Sequence, residues 1–303
     1  MHATATHPGF VARLRTYASF VRFEHTLFSL PLILAGVFSV AGPALDARRW
    51  LLVGVAAVGA RTAAMALNRW IDRRLDALNP RTRVRELPSG KMLGIEAWAL
   101  LALSGLAYLA ACAALGPWYL KVAFVPLAVF TIYPYLKRVT PLCHFGVGLA
   151  LALAPLAGFA AAHPDLAEAL PAFLLAFFAL VWVSGFDIIY ATLDEAFDRQ
   201  HRVHSMVAWL GTARALLVSA ALHRVAQGAL LLLAVTLLRA HGGSAWTLAA
   251  IPTYALLAGS VVLLELEQRW AEDVNLAFFK VNVWVGALVL AMVLAARVAT
   301  GGF

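Results

Sequence analysis

Long apolar runs alternate with short polar connections along most of this chain. A run of about 20 apolar residues is long enough to cross a hydrocarbon core about 30 Å thick. Nine such runs cover roughly residues 27–43, 50–69, 95–115, 118–136, 143–163, 169–190, 212–238, 245–265 and 275–297. The pattern predicts an all-α membrane protein, a bundle of nine transmembrane helices in a single domain over residues 1–303. No small-residue cleavage pattern follows the first run, so we expect it to be retained.

Composition and charge agree with a membrane protein and predict its orientation. The chain is 62% hydrophobic and 13% charged, whereas a soluble domain is about 25% charged. Most Lys and Arg residues fall in the N-terminal segment and in the connections after the even-numbered runs, which places the N-terminus and these connections in the cytoplasm. This bias accounts for the net charge of +8 without a nucleic-acid partner, and any excess is available to membrane lipid. Cys112 and Cys143 have no spacing typical of a disulfide or zinc site.

Two of the connections, 69–93 and 191–211, are long, cytoplasmic in this topology and rich in acidic residues. Asn68, Asp72 and Asp76 recur every four residues before and within the first. Tyr190, Asp194 and Asp198 repeat that spacing at the second, with Asp187 one turn earlier. The spacing predicts one polar helix face in each place. We interpret the recurrence as a weak internal repeat, with halves of roughly 20–140 and 141–265 that share one site.

Carboxylates four residues apart on a helix repel each other and require compensation. Neighbouring Arg73 and Arg74 would provide it if the first face were an ordinary salt-bridged loop helix. Two matching faces of oxygen ligands instead favour Mg²⁺ with substrate phosphate oxygens. Basic side chains that could donate to those phosphates are Arg81, Arg83, Arg85, Lys137 and Arg138. A diphosphate held at the mouth of an apolar bundle implies a substrate with a hydrophobic tail, such as a polyprenyl diphosphate.

Four motifs together resemble the UbiA superfamily of intramembrane prenyltransferases. They are "VRFEHTLFSLP", "NRWIDRRLDALNPRT" followed by "LPSG", "YLKR", and "DIIYATLDEAFDRQHRVHS". The resemblance covers the whole chain in motif order and in the expected number of helices. Arg69 departs from it, because the family's first motif usually begins Asn-Asp, and Glu86 stands where many members have Pro.

The resemblance implies a role for each matching residue. Metal and diphosphate binding falls to Asn68, Asp72, Asp76, Asp194 and Asp198, and further diphosphate contacts fall to Arg81, Arg85, Lys137 and Arg138. Asp187 and Tyr190 would shape the reaction cavity as catalytic residues with Asp72, Asp76, Asp194 and Asp198. Arg22 and His25 are candidates to contact the acceptor, although both also suit a role as interfacial anchors. Arg61, Arg224 and Lys280 lie in apolar runs, where snorkelling explains them as well as a function does.

The implied function is Mg²⁺-dependent transfer of a polyprenyl group to an aromatic acid. The chain looks most like the 4-hydroxybenzoate polyprenyltransferase-like branch, which serves ubiquinone synthesis in bacterial-type inner membranes with a cytoplasmic active site. Prenylation of a dihydroxynaphthoate for menaquinone is the alternative within the family, because the acid and phenol groups of both acceptors require similar hydrogen-bond donors. A cation-coupled transporter is the alternative from another class, but it would place its acids deep in the bilayer. A CDP-alcohol phosphotransferase would need a DG and an AR among its acids, which neither stretch has.

Overall fold

A computed structural model gives the fold, and it describes residues 9–22, 26–42, 45–240, 243–271 and 281–302, without the side chains of residues 26–28. Within these ranges the chain is helical and contains no strand. The helices are α1 (Phe10–Phe20), α2 (Thr26–Phe38), α3 (Ala47–Leu78), α4 (Gly94–Leu115), α5 (Pro117–Val122), α6 (Phe124–Leu136), α7 (Cys143–Ala162), α8 (Leu170–Ala191), α9 (Glu195–Gln200), α10 (Met206–Leu210), α11 (Thr212–Arg239), α12 (Ile251–Arg269) and α13 (Asn282–Ala299).

Eight helical segments in the described part of the chain are long and apolar enough to cross a membrane. They correspond to the second to ninth predicted runs, and short helices join them into longer segments at 117–136, 170–200 and 248–269. The first predicted run forms α2, which has 13 residues and so rises only about 20 Å. The all-α membrane class is therefore confirmed, whereas the count of nine spanning helices and the N-terminus-inside orientation stay predictions.

The described residues divide into two compact units. The first contains the residues up to Thr26 and Gly54–Thr131, and the second contains Leu27–Val53 and the chain from Ile132 onward. These bounds do not follow the predicted halves at 20–140 and 141–265, so the internal repeat also stays a prediction.

In the first unit, α1 packs on the start of α4 and on the connection after α3. Glu96 accepts a hydrogen bond from the backbone N–H of Leu93 at 2.7 Å and so caps α4. The same carboxylate forms an ion pair with Arg13 and accepts a hydrogen bond from the Tyr17 hydroxyl at 2.8 Å. Beneath these contacts lies a small apolar cluster of Phe20, Val21, Ala66, Met92 and Ala97. Since Met92 belongs to this cluster, the cluster anchors the end of the connection that precedes α4.

In the second unit, α8 is the central helix and packs against both α7 and α11. Its apolar side chains Leu175, Phe178 and Trp182 are fully buried. A chain of buried hydrogen bonds links α8 to α12 and α13: the Trp182 indole donates to Asn282 at 3.0 Å, and the Asn282 amide donates to Glu267 at 2.8 Å. Hydrogen bonds of this kind join helices where apolar contact alone gives little preference over lipid.

Glycines allow α7 to approach its neighbours backbone to backbone. A Cβ at Gly148 would lie 2.3 Å from the carbonyl oxygen of Leu180 on α8, and one at Gly36 on α2 would lie 2.0 Å from the carbonyl oxygen of Pro155. Backbone atoms cannot yield as a flexible side chain can, so these positions exclude any larger residue. Close approach at small residues is typical of helix packing in membranes.

We therefore expect Gly148→Ala to destabilise the protein by about 1–3 kcal/mol through overpacking. Gly228 on α11 has no atom within 4 Å of the Cβ position, so Gly228→Ala is the matched control and should leave the melting temperature unchanged or raise it. The measurement is thermal unfolding of the purified variants in detergent. Equal melting temperatures for the two variants would contradict the close packing of α7 on α8.

Candidate active site

The first set of acidic residues lies on the last turns of α3. This helix has 32 residues and is about 48 Å long, which exceeds a hydrocarbon core of about 30 Å. Asn68, Asp72 and Asp76 share one helix face, as the spacing predicts. The Asn68 side-chain amide donates to Asp72 Oδ2 at 3.4 Å. Asp72 and Asp76 are 2% and 6% exposed, so their carboxylates are largely removed from water.

Asp76 has one paired and one unpaired carboxylate oxygen. Arg85 Nη1 donates to Asp76 Oδ1 at 2.7 Å. Asp76 Oδ2 is buried and makes no hydrogen bond. A buried carboxylate oxygen without a partner costs free energy unless a ligand satisfies it. Among the described residues no three His, Cys, Asp or Glu side chains cluster as a metal site, but Mg²⁺ needs only one or two carboxylates with water and phosphate oxygens. The unpaired oxygen, with Asp72 and Asn68 on the same face, fits that requirement.

The connection after α3 is an ordered series of turns that presents the basic residues. The Asn79 side chain accepts from the Arg81 N–H at 2.9 Å, and its carbonyl accepts from the Arg83 N–H at 2.8 Å. The Thr82 hydroxyl donates to the Asp76 carbonyl at 3.0 Å. These bonds fold the segment back against the end of α3, which brings Arg85 to Asp76 and leaves Arg83 exposed. Sequence reasoning missed Asn79 and Thr82, for which the turn-forming Asn-Pro pair was the available signal.

The second set of acidic residues does not lie on one continuous helix. α8 ends at Ala191, a 3₁₀ turn covers Thr192–Asp194, and α9 begins at Glu195. The Thr192 hydroxyl donates to the Ile189 carbonyl at 2.7 Å. The predicted single polar face through Tyr190, Asp194 and Asp198 is therefore wrong in detail, because a 3₁₀ turn advances the side chains by a larger angle per residue than an α-helix does.

Asp198 is the buried member of this set, and the segment after α9 provides its partner. Asp198 is 7% exposed and accepts a hydrogen bond from the Ser205 hydroxyl at 2.7 Å. Ser205 Oγ also accepts from the Ala208 N–H at 3.2 Å and so caps α10. Lys137, which follows α6, lies within electrostatic range of Asp198. Asp194 and Tyr190 are half-buried.

Lys137 and Arg138 are fixed by contacts at the end of α6. The Lys137 carbonyl accepts from the His204 N–H at 2.7 Å, which ties this end to the segment after α9. Arg138 Nη1 donates to the Pro134 carbonyl at 2.7 Å, and its guanidinium lies 5.3 Å from the Tyr135 ring centroid. Arg138 thus stabilises the last turn of α6.

His144 is a site residue whose role the sequence left undecided. Its Nδ1 lies 2.6 Å from Asp187 Oδ2, and its Nε2 accepts from the Met206 N–H at 3.2 Å. Because Nε2 accepts, the ring proton is on Nδ1 and is donated to Asp187. His144 therefore connects α7 to α8 and α10 and fixes the Asp187 carboxylate. Neither the spacing nor the composition around His144 predicts these contacts.

The remaining predicted residues are Arg22, His25, Arg61, Arg224 and Lys280. Arg22 lies just after α1 and has a φ of 49°, in the left-handed region that is unfavourable for a side chain of this size. His25 and Lys280 lie outside the described residues. Arg61 is half-buried in α3, and Arg224 on α11 is exposed.

Buried carboxylates lie at the ends of helices that are long enough to cross a membrane, and such groups are candidates for a functional site. Comparison with known proteins is more specific: residues 29–284 match the UbiA prenyltransferase family. A protein named 4-hydroxybenzoate octaprenyltransferase from Yersinia enterocolitica is 28% identical over 258 residues, which cover 83% of this chain and 85% of the relative. The chain belongs to the UbiA prenyltransferase family and is an integral membrane prenyltransferase, which confirms the resemblance seen in its motifs.

Solved structures agree with this assignment. The apo structure of a UbiA homolog from Aeropyrum pernix K1 is 33% identical, with a TM-score of 0.78 over 89% of this chain and 97% of that chain. A UbiA homolog from Archaeoglobus fulgidus, bound to GPP and Mg²⁺, shares the fold at 15% identity, with a TM-score of 0.70 over 94% of this chain and 99% of that chain.

The contacts of His144 predict the effect of its loss. His144→Ala leaves Asp187 and the Met206 N–H without partners, and each unsatisfied group costs about 1–3 kcal/mol. His204→Ala is the matched control, because its side chain is exposed and only its backbone makes hydrogen bonds. We expect a lower melting temperature in detergent for His144→Ala alone. Partial recovery in His144→Asn, whose amide can replace Nδ1–H, would assign part of the loss to Asp187. No difference between the two alanine variants would refute this account of His144.

Proposed function

We propose that this prenyltransferase moves a polyprenyl group from its diphosphate to the ring of an aromatic acid of the 4-hydroxybenzoate type, in a reaction that depends on Mg²⁺. The observation that carries the proposal is the unpaired, buried Oδ2 of Asp76, next to an oxygen that Arg85 already holds. A carboxylate in that state suits a divalent cation, and a cation beside arginines suits a diphosphate. The name of the Yersinia relative and the GPP and Mg²⁺ bound by the Archaeoglobus homolog support this choice.

The proposed assignment of residues follows the family motifs. Metal binding is assigned to Asn68, Asp72, Asp76, Asp194 and Asp198, and diphosphate binding to Arg81, Arg85, Lys137 and Arg138. That both acidic sets serve one diphosphate is part of the proposal and rests on their repeated spacing. Asp187 and Tyr190 are assigned to the reaction cavity, and Arg22 and His25 to the acceptor. We also propose that the N-terminus and the site face the cytoplasm of a bacterial-type inner membrane, in accordance with the basic residues.

In the proposed reaction, the allylic C–O bond breaks and its electron pair leaves with the diphosphate. Asn68, Asp72 and Asp76 would hold Mg²⁺, which would supply positive charge to stabilise this leaving group. Arg85 and Arg81 contribute by donating hydrogen bonds to the same oxygens, which gain charge as the bond breaks. A π-electron pair of the acceptor ring then forms the new C–C bond to the prenyl carbon, and the released diphosphate takes up the proton that the ring loses. The apolar helices keep water from the allylic cation, which water would otherwise capture.

Membranes containing the protein test this function directly. With Mg²⁺ and a radiolabelled polyprenyl diphosphate, we expect a prenylated product from 4-hydroxybenzoate and none when Mg²⁺ is chelated. The second acceptor to assay is a dihydroxynaphthoate, because its acid and phenol groups require similar hydrogen-bond donors. Product from that acceptor alone would reassign the acceptor and keep the transfer chemistry. If no aromatic acceptor gives Mg²⁺-dependent product, the proposal is wrong.

Two arginines of the same connection test the diphosphate assignment. Arg85 is paired with Asp76, whereas Arg83 is exposed. We expect Arg85→Ala to raise the KM for the prenyl diphosphate roughly 10-fold or more, since a hydrogen bond to a charged group contributes about 1.5–3 kcal/mol. Arg83→Ala should behave like the wild type. Steady-state kinetics with varied diphosphate give both values, and similar KM values for the two variants would remove Arg85 from the diphosphate site.

A further inference from the structure

Arg69 is buried in the last third of α3, and two of its three guanidinium nitrogens have no hydrogen-bond partner. It is 4% exposed, and its Nε and Nη1 atoms are buried and make no hydrogen bond. The assignment of residues proposed above gives Arg69 no role. Leaving a cation in this condition costs several kcal/mol. An ionisable side chain in a helix that can cross a membrane is by default a candidate for a functional role.

The neighbouring acidic residues do not explain Arg69. It lies within electrostatic range of Asp76, Glu86, Arg85 and Arg22. Asp76 is paired with Arg85 through Oδ1, and Glu86 accepts the Ser19 hydroxyl at 2.6 Å. Neither carboxylate accepts a hydrogen bond from Nε or Nη1 of Arg69. Arg69 therefore lies close to two further guanidinium groups, those of Arg85 and Arg22, and its Nε and Nη1 have no carboxylate partner.

A second unsatisfied group lies on the same helix face. Asp76 follows Arg69 by seven residues, or two helical turns, so their side chains emerge on nearly the same side of α3. Asp76 Oδ2 and the two Arg69 nitrogens are all unpartnered and do not satisfy one another. A ligand that carries a cation together with an oxyanion satisfies both groups at once. A simple carboxylate would satisfy Arg69 and leave Asp76 Oδ2 as it is.

We propose that Arg69 is a diphosphate-binding residue of this enzyme, which donates from its buried guanidinium to an oxygen of the cation-bound prenyl diphosphate. This inference rests on the proposed function and extends its diphosphate site to a residue that the family motif does not provide. The planar guanidinium presents Nε–H and Nη–H as a fork, which matches two oxygens of a phosphate group.

Ligand binding by Arg69→Gln tests the proposal. The probe is geranyl thiolodiphosphate with Mg²⁺, and its Kd is measured by calorimetry on detergent-purified protein. We expect Arg69→Gln to weaken binding roughly 10- to 100-fold and Arg69→Lys to recover part of the loss, since it keeps the charge but not the fork. Arg74→Gln is the matched control, because Arg74 is exposed on the same helix, and it should bind like the wild type.

The melting temperature without ligand and the KM for the acceptor distinguish diphosphate binding by Arg69 from a structural role and from acceptor binding. A binding residue without a partner in the free protein predicts that Arg69→Gln melts at or above the wild-type temperature. If Arg69→Gln has a lower melting temperature and an unchanged Kd for the probe, Arg69 stabilises the fold by balancing nearby carboxylates, and the proposal is wrong. A higher KM for the aromatic acid with an unchanged Kd for the probe would also overturn it. If the wild type itself does not bind the probe, the proposed function fails, whereas equal binding by wild type and Arg69→Gln removes only this inference.

Discussion

Removal of charge from water is the constraint on which the polar end of α3 depends. Asp72 and Asp76 are almost fully buried at the end of an apolar helix, where an ion without a partner is costly. The turns after α3 are arranged accordingly: Asn79 and Thr82 fold the chain back so that Arg85 reaches Asp76. This pairing is incomplete, because one oxygen of Asp76 is left over. The structure thus holds the first acidic set in place without neutralising it.

The second acidic set meets the same constraint with different chemistry. Asp198 is held by a serine hydroxyl and Asp187 by a histidine ring. Arg85, by contrast, is a charged partner that forms an ion pair with one oxygen of Asp76. The two sets, which have the same spacing in the sequence, therefore differ in the hydrogen-bond partners that hold them. The difference follows from what each connection can supply: "RTRVR" after α3 is rich in guanidinium groups, whereas Ser205 and Met206 approach the second set with a hydroxyl and a backbone N–H.

The sequence predicted most of the helices because an apolar run long enough to cross a bilayer has few alternatives. It also predicted the face shared by Asn68, Asp72 and Asp76, since α3 continues unbroken to Leu78. It failed at Thr192–Asp194, where a hydroxyl bond to the Ile189 carbonyl accompanies a 3₁₀ turn that spacing alone does not reveal. The sequence also did not predict the contacts of His144 or the burial of Arg69, because contacts between helices and exclusion of solvent depend on tertiary packing. The assigned roles of the site residues remain predictions.

Ser205 has a consequence for how the second unit responds to ligands. Its single hydroxyl donates to Asp198 and accepts from the first turn of α10. Asp198 and the start of α10 are therefore thermodynamically linked: whatever changes the bonding of the carboxylate changes the stability of that helix end, and the reverse holds by the same free energy. The neighbouring Met206 N–H extends this linkage to His144 and Asp187. The five-residue helix α10 is thus linked to two acidic side chains, Asp187 and Asp198, that are eleven positions apart in the chain.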